Sequence, residues 1–351
     1  MIWPSAGEYE RYLAVPSKYF KHRLLRGLKV QEVDPLFGQR IYSSGGFAYV
    51  AKAKLGGRYW ALRLLKSECS GYVERHQFLE QLSMRGGLPP SFRHTRVVAE
   101  GLVDPQRNLK LPVVMIEWCH GPTLERFVRQ ACEHGETAKI SLLREKLRAL
   151  EHDLYEHTIA HGDVSGKNIL VDDSEGDLQL FLVDYDSVWM PEIATLTSPI
   201  GVGDLQHPRR PNPIGADADR IAFAFIDLAL AALERQPSLI DDALLDQTFL
   251  CSQPELLMGE SANAVAMRMA DPKRFEELVG LLRAPYESLL RPPFEDVHRQ
   301  DLADQISVRE GAHRLGVPVR ELRKLAAQAG LELSDGVLSQ ADLGRIARMR
   351  T

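Results

Sequence analysis

His161-Gly162-Asp163-Val164-Ser165-Gly166-Lys167-Asn168-Ile169-Leu170-Val171 is the stretch from which the rest of the chain is read. An aspartate is followed five residues later by an asparagine and then by an apolar, β-prone run; Leu182-Val183-Asp184-Tyr185-Asp186 comes next. The spacing is that of a phosphoryl-transfer site. Asp163 is placed to accept a hydroxyl proton, while Asn168 and Asp184 offer hard oxygen ligands to a magnesium ion. Lys167 either contacts the γ-phosphate or is a solvated loop lysine, and His161 reads as a residue that packs the loop.

Upstream, Ile41 to Lys54 and Tyr59 to Leu65 are β-rich runs joined through Gly56-Gly57, the signature of a hairpin. Early in the first run stand Ser44-Gly45-Gly46, small enough for backbone N–H groups to approach phosphates. A helical stripe occupies 71–84, two strands flank Asp104 to Asn108, and Gly121-Pro122-Thr123 precedes a helix at Leu124. Residues 138–159 carry Ile140, Leu143, Leu147, Leu150 and Leu154 on one helical face. Asp217 to Arg220 open a strongly apolar helix, after a polar, proline-rich segment at 190–214. Strands first and helices later mean an α+β protein with a β-rich first part and a helical second. At the start, Ser5 and Glu8 form a capping box for a short helix, and 21–40 read as an irregular linker.

Composition narrows the classes. With 351 residues, 44% hydrophobic content and a net charge of −5, the whole chain is an ordinary globular protein and not a basic nucleic-acid binder. Cys69, Cys119, Cys132 and Cys251 form no Cys-x-x-Cys pair, which argues against a disulfide framework or zinc site and suits a reducing, cytoplasmic setting. No signal segment and no run of about 18 apolar residues is present, so no membrane span is expected.

At these residues the chain resembles the protein-kinase fold over about 40–290, most nearly a bacterial branch of serine/threonine-kinase-like proteins. The resemblance is carried by Trp3-Pro4, Trp60-Ala61-Leu62-Arg63, Glu74-Arg75-His76, Ile116-Glu117-Trp118-Cys119-His120-Gly121, Ala160-His161-Gly162-Asp163 and Asp184-Tyr185-Asp186. It implies a bilobal fold, with a β-rich lobe at 40–119 and a helical lobe at 120–291; an N-terminal extension at 1–39 is expected to pack on the kinase lobe, and 292–304, beginning Pro292-Pro293, read as a linker. It implies ATP on a hinge at Glu117–Cys119 with Val50 and Ala61 against the adenine, magnesium or manganese as the divalent ion, and a protein hydroxyl as acceptor. It also places Arg63 where a lysine is usual, reaching the α/β-phosphates and pairing with Glu74 (or with Glu80), and Asp219 beneath the catalytic loop as an anchor.

Four departures from the pattern stand out. Ser43 and Ala48 replace glycines, which stiffens the phosphate loop. Arg63 is a planar fork where a point charge is usual, and Lys66, on the opposite strand face, is a poor substitute. Gly162 replaces an arginine, which weakens the case for control by a phosphorylated loop. Tyr185-Asp186 replaces Phe-Gly; Asp186 is either a third metal carboxylate or a turn residue, and the turn is favoured.

The tail, 305–351, reads as a small all-α, helix-turn-helix-like module with eight Lys and Arg residues and three short helical stripes: Val308, Ala312 and Leu315; Leu322, Leu325 and Ala329; and Leu338, Leu343, Ile346 and Met349. In Val308-Arg309-Glu310 through Leu315-Gly316-Val317 and in Arg320-Glu321-Leu322 it resembles the N-terminal helical modules of bacterial translation initiation factor 2. A protein partner, or docking on the kinase part, is preferred to nucleic acid or the ribosome. Three other readings stay open: a nucleotide-binding pseudokinase scaffold, a small-molecule kinase of aminoglycoside-phosphotransferase type, and a nucleic-acid adaptor working through the tail.

Overall fold

The structure is a computed structural model that describes residues 3–33, 36, 38–174, 176–194, 196, 218–240, 249–283, 305–307, 319–328 and 337–339. The chain divides into two compact units, Met1–Leu290 and Arg291–Thr351. The expected linker at 292–304 and nearly all of the polar segment at 190–214 lie outside the described residues.

The first unit is built on a curled, antiparallel sheet. Its strands are β1 (Lys29–Val30), β2 (Ile41–Ser44), β3 (Ala48–Leu55), β4 (Arg58–Leu65), β5 (Thr95–Asp104) and β6 (Leu109–Glu117), ordered β1-β3-β4-β6-β5 with β2 also paired to β3. The β3–β4 hairpin turns on Gly56 and Gly57, both at positive φ (59° and 83°), as a tight two-residue turn requires. Strand periodicity then sorts the side chains. Trp60, Leu62 and Leu64 join one apolar cluster with Ala51, Ala53, Val113 and Met115. Leu65, Ala48, Val114 and Ile116 point the other way, into the larger core.

The N-terminal extension covers the first of those faces. Helix α1 (Ala6–Ala14) has its capping box, with Ser5 N–H donating to the Glu8 carboxylate at 2.8 Å and Glu8 N–H to Ser5 Oγ at 3.4 Å. Tyr9, Tyr12 and Leu13 are buried on the sheet, and their hydroxyls are satisfied: Tyr9 donates to Leu65 O at 2.6 Å and Tyr12 to Asp104 at 2.8 Å. A short helix α2 (Pro16–Tyr19) follows. The linker expected at 21–40 is corrected in part. Phe20, Leu25 and Leu28 are buried on the same face, and β1 pairs with Ala53 and Lys54. Their spacing follows a 3₁₀ turn and a two-residue strand, too short to leave a period in the sequence.

Helix α3 (Tyr72–Arg85) lies against the other face of the sheet. The rest of the unit is mainly helical, with α4 (Leu124–Glu133), α5 (Thr137–Glu156), α6 (Arg220–Arg235), α7 (Gln253–Met258), α8 (Ala262–Ala270) and α9 (Pro272–Arg283), and a small hairpin of β7 (Ile169–Asp172) and β8 (Gln179–Leu182). In α5 the buried residues are Ile140, Leu143, Leu147, Leu150 and Leu154, the stripe read from the sequence. Helix α6 is apolar all round because it is buried all round. Its buried acid, Asp227, meets Arg144 (3.2 Å), Arg148 (3.0 Å) and Arg274 (3.2 Å).

In the second unit α10 (Val319–Gln328) matches the expected helix, with Leu322 and Ala326 buried. The all-α expectation is corrected by β9 (Gln305–Ser307) and β10 (Val337–Ser339), which pair antiparallel. Leu338, read as part of a helical stripe, sits in that ladder opposite Ile306; three-residue strands carry too little alternation to be told from a helix start. The first and third expected stripes otherwise fall outside the described residues.

Candidate active site

The loop 161–168 is held from below. Asp219, at the N-terminal end of α6, accepts the backbone N–H of Gly162 on Oδ1 at 2.8 Å and that of His161 on Oδ2. His161 is fully buried, and its Nε2 lies 3.0 Å from Val183 O. Gly162 has φ +78°, and a Cβ there would stand 2.4 Å from Ser187 O. The conformation therefore excludes a side chain, which is the physical reason no arginine stands at 162. Gly166 allows a second close approach, to Glu125 and Phe249.

Asp163 and Asn168 are brought together. The Asn168 amide donates to Asp163 O at 2.8 Å and to Asp163 Oδ2 at 2.6 Å. With its NH₂ committed there, Asn168 keeps its amide oxygen as a donor atom for a cation. The β7–β8 ladder continues past its ends, since Val183 N–H donates to Asn168 O at 2.9 Å, so Asp184 follows one residue beyond Asn168's partner. Asp184 is in the left-handed region (φ 67°), a sparsely populated backbone for a non-glycine and one that concentrates at functional sites. Lys167 is exposed in the same loop.

On the sheet, Val50 pairs with Arg63, Arg63 with Val114, and Ala61 with Lys52 and Ile116. Cross-strand partners share a face, so Val50, Ala61 and Arg63 project to one side. Glu117 ends β6 and lies 3.8 Å from Arg58 and 3.9 Å from Arg93; Trp118 N–H donates to Tyr59 O. Burial pushes the Cys119 thiol up to about 12, so it acts as a small apolar residue. The Ser44-Gly45-Gly46 turn is tied by Lys66, whose ammonium donates to Ser44 Oγ at 2.9 Å and to Gly45 O. Neither glycine adopts positive φ, so their value at this turn is small size and not unusual dihedrals.

The expected Arg63–Glu74 pair is not made, and this corrects the sequence reading. The buried face of α3 is Tyr72, Arg75, His76 and Leu79, which turns Glu74 outward to solvent. Glu80 instead accepts Val97 N–H at 3.0 Å. Arg63 Nη2 donates to Asp184 Oδ1 at 2.9 Å and Asp186 Oδ2 at 2.5 Å, and Nε donates to the Tyr72 hydroxyl at 3.0 Å. Asp186 does lie in a turn, the 3₁₀ segment Tyr185–Ser187, but a buried one, where its carboxylate pairs with Arg63. Tyr185 pins the segment, donating to Leu182 O and accepting Arg93 N–H, both at 2.8 Å.

Burial, reinforced by the charge on Asp184, raises the Asp186 pKa against the pull of Arg63. Burial also works against ionised Asp184, but Arg63, the hydrogen bond with Asp186 and His161 outweigh it and hold its pKa below the usual range. The two carboxylates titrate as a pair in which Asp186 is the weaker acid. The residue missed from the sequence is Tyr72, and for Asp186 it is the pairing with Arg63 that was missed. The signal for Tyr72 was there: it sits on the buried stripe with His76 and Leu79, where a hydroxyl needs a partner.

Among the described residues no cluster of three or more His, Cys, Asp or Glu is placed to hold a metal. The oxygen pair of Asn168 and Asp184 suits a magnesium ion that takes its remaining ligands from phosphates and water. No helix among the described residues is long and apolar enough to cross a membrane. Neither a scan against protein-family models nor a search of curated proteins returned a match to this chain.

Proposed function

We propose that the chain is an ATP- and Mg²⁺-dependent phosphotransferase with a bilobal, kinase-like catalytic unit that acts on a protein serine or threonine hydroxyl. The observation that carries this reading is the assembly of the loop: Asp219 holds His161 and Gly162, and Asn168 is bonded to Asp163 with its amide oxygen left over.

In the reaction the acceptor oxygen bonds to the γ-phosphorus, the bond from that phosphorus to the bridging oxygen breaks, and ADP leaves. Asp163 takes the hydroxyl proton. Asn168 and Asp184 would hold the divalent ion, which supplies neutralising charge to the phosphoryl group. Val50 and Ala61 line the sheet face on which the base would rest, with the hinge at Glu117 to Cys119 beside it. Ser44, Gly45 and Gly46 cover the phosphates, and Arg63 is the cation for them. Lys167, exposed beside Asn168, is the loop lysine for the γ-phosphate.

The test is transfer of labelled γ-phosphate from ATP with Mg²⁺ or Mn²⁺, to the protein itself or to a serine/threonine peptide library. Wild type is expected to transfer and Asp163→Ala to lose transfer. No transfer by folded wild type with either ion overturns the reading. One observation favours a second reading, a nucleotide-binding scaffold without turnover: Arg63 occupies both carboxylates of the metal motif. ATP-dependent thermal stabilisation without transfer is its signature.

A further inference from the structure

We infer that Arg63 is a resident counter-ion that closes the metal motif to a free divalent cation, and that nucleotide phosphate releases it. The inference rests on the phosphotransferase reading and adds an order of binding to it.

Arg63 has no acidic partner on α3, because Glu74 faces solvent and Glu80 is engaged with Val97. Among the described residues its only carboxylates are Asp184 and Asp186. One guanidinium nitrogen, Nη2, serves both, so the cation sits between two acids, the place a divalent ion would otherwise neutralise. Arg63 is 7% exposed and Asp186 4%, so water screens this contact poorly. A cation approaching Asp184 therefore meets a carboxylate whose charge is already compensated by a positive group 2.9 Å away. The motif's attraction for a bare ion is reduced by that resident charge.

The same guanidinium has capacity for an anion. Nε is used by Tyr72 and Nη2 by the two aspartates, while Nη1 has no hydrogen-bonding partner among the described residues. Arginine recognises phosphate through such paired N–H groups. A triphosphate that engages Nη1 competes with Asp184 for the fork and frees that carboxylate for the metal. Phosphate and metal then bind cooperatively. Asp186, held by burial beside Tyr72 and His76, keeps the arginine tethered when Asp184 lets go.

The experiment titrates Mn²⁺ alone by its paramagnetic resonance signal into wild type, Arg63→Lys and Arg63→Gln, with circular dichroism to establish folding. Wild type is expected to bind Mn²⁺ alone weakly, and Arg63→Gln about tenfold or more tightly, within the usual span of coupling between sites. Arg63→Lys, which cannot bridge both acids, falls between. Equal Mn²⁺ affinity in all three overturns the inference. A second measurement needs no variant: the Arg63 Nε–H resonance of wild type is expected to shift on adding a metal-free, non-hydrolysable ATP analogue and to stay in place with adenosine. An analogue that binds without moving it overturns the inference while leaving the phosphotransferase reading intact. If the analogue binds no form of the protein, with or without Mn²⁺, both fall together.

Discussion

Gly162 N–H donates to Asp219 Oδ1 at 2.8 Å across 57 residues of chain. With the His161 bond to the other oxygen, this one carboxylate ties the segment before Asp163 to the start of α6. Removing it strands two backbone donors in a largely closed environment, at about 1–3 kcal/mol each. Asp219→Ala is expected to lose roughly 2–5 kcal/mol in urea unfolding. At a temperature where the variant is still folded, its phosphotransfer should fall further than Asp219→Asn, which keeps one acceptor oxygen. A variant as stable and as active as wild type contradicts the anchoring role.

Two glycines are fixed by close approach. A Cβ at Gly121 (φ +103°) would stand 2.1 Å from Val171 O, and at Gly162 2.4 Å from Ser187 O. In contrast, Gly57 has positive φ (+83°) but nothing within 4 Å of a Cβ. Gly57→Ala should therefore cost only the dihedral penalty, about 1 kcal/mol. Gly121→Ala and Gly162→Ala each add backbone displacement and are expected to cost about 3 kcal/mol or more. Denaturant midpoints of the three variants decide this. Equal losses would falsify the steric account.

Much of this was legible before any coordinates. The hairpin at Gly56-Gly57, the stripe of α5 and the capping box at Ser5 and Glu8 each follow from local rules that tertiary structure did not override. Asn168 reaches Asp163 across five residues of loop, and the resemblance, not local spacing, pointed to Asp219, which accepts from His161 and Gly162. The partner of Arg63 was not legible. It depends on which residues of α3 face inward, and a rotation of one position exchanges Glu74 for Arg75 and His76. Nor was the cover over the sheet's other face, because Phe20, Leu25 and Leu28 lie in turns without a period. The β9–β10 pairing joins residues about thirty apart through strands of three residues, below what alternation can reveal.

Asp227 supports a separate prediction, about stability alone. Its side chain is 1% exposed and meets Arg144, Arg148 and Arg274; Arg144 also pairs with Glu234 at 2.7 Å. The acid joins α5, α6 and α9 through one buried charge. Asp227→Ala leaves arginines without their counter-ion and is expected to cost about 3–5 kcal/mol. Arg148 is 49% exposed, and Arg148→Ala should cost about 1 kcal/mol or less. Chemical unfolding of both at neutral pH checks the contrast, and the inference about the network fails if Arg148→Ala is the more damaging.

His76 gives the chain a pH dependence whose sign can be worked out. The ring is fully buried; Nδ1 lies 2.9 Å from Tyr72 O and so carries the proton, leaving Nε2 as the bare nitrogen, 3.8 Å from Asp186 Oδ1. Burial first, then Arg63 and Arg75, hold its pKa down to about 3, against the pull of Asp184. An unfolded histidine titrates near 6.5. Between those values the unfolded chain carries a proton that the native ring refuses. The stability from neutral His76 is therefore fully present above about pH 6.5 and drains away as the pH falls toward 3, by up to about 1.4 kcal/mol per pH unit. His76→Phe keeps an aromatic ring against Tyr72, which stacks on His76 at 4.4 Å between centroids, and removes the titration. Urea unfolding of wild type and variant at several pH values between 4 and 7 should show the wild-type stability falling more steeply with acid, by about one proton's worth. Parallel curves for the two proteins would mean that His76 is charged, or exposed, in the native state.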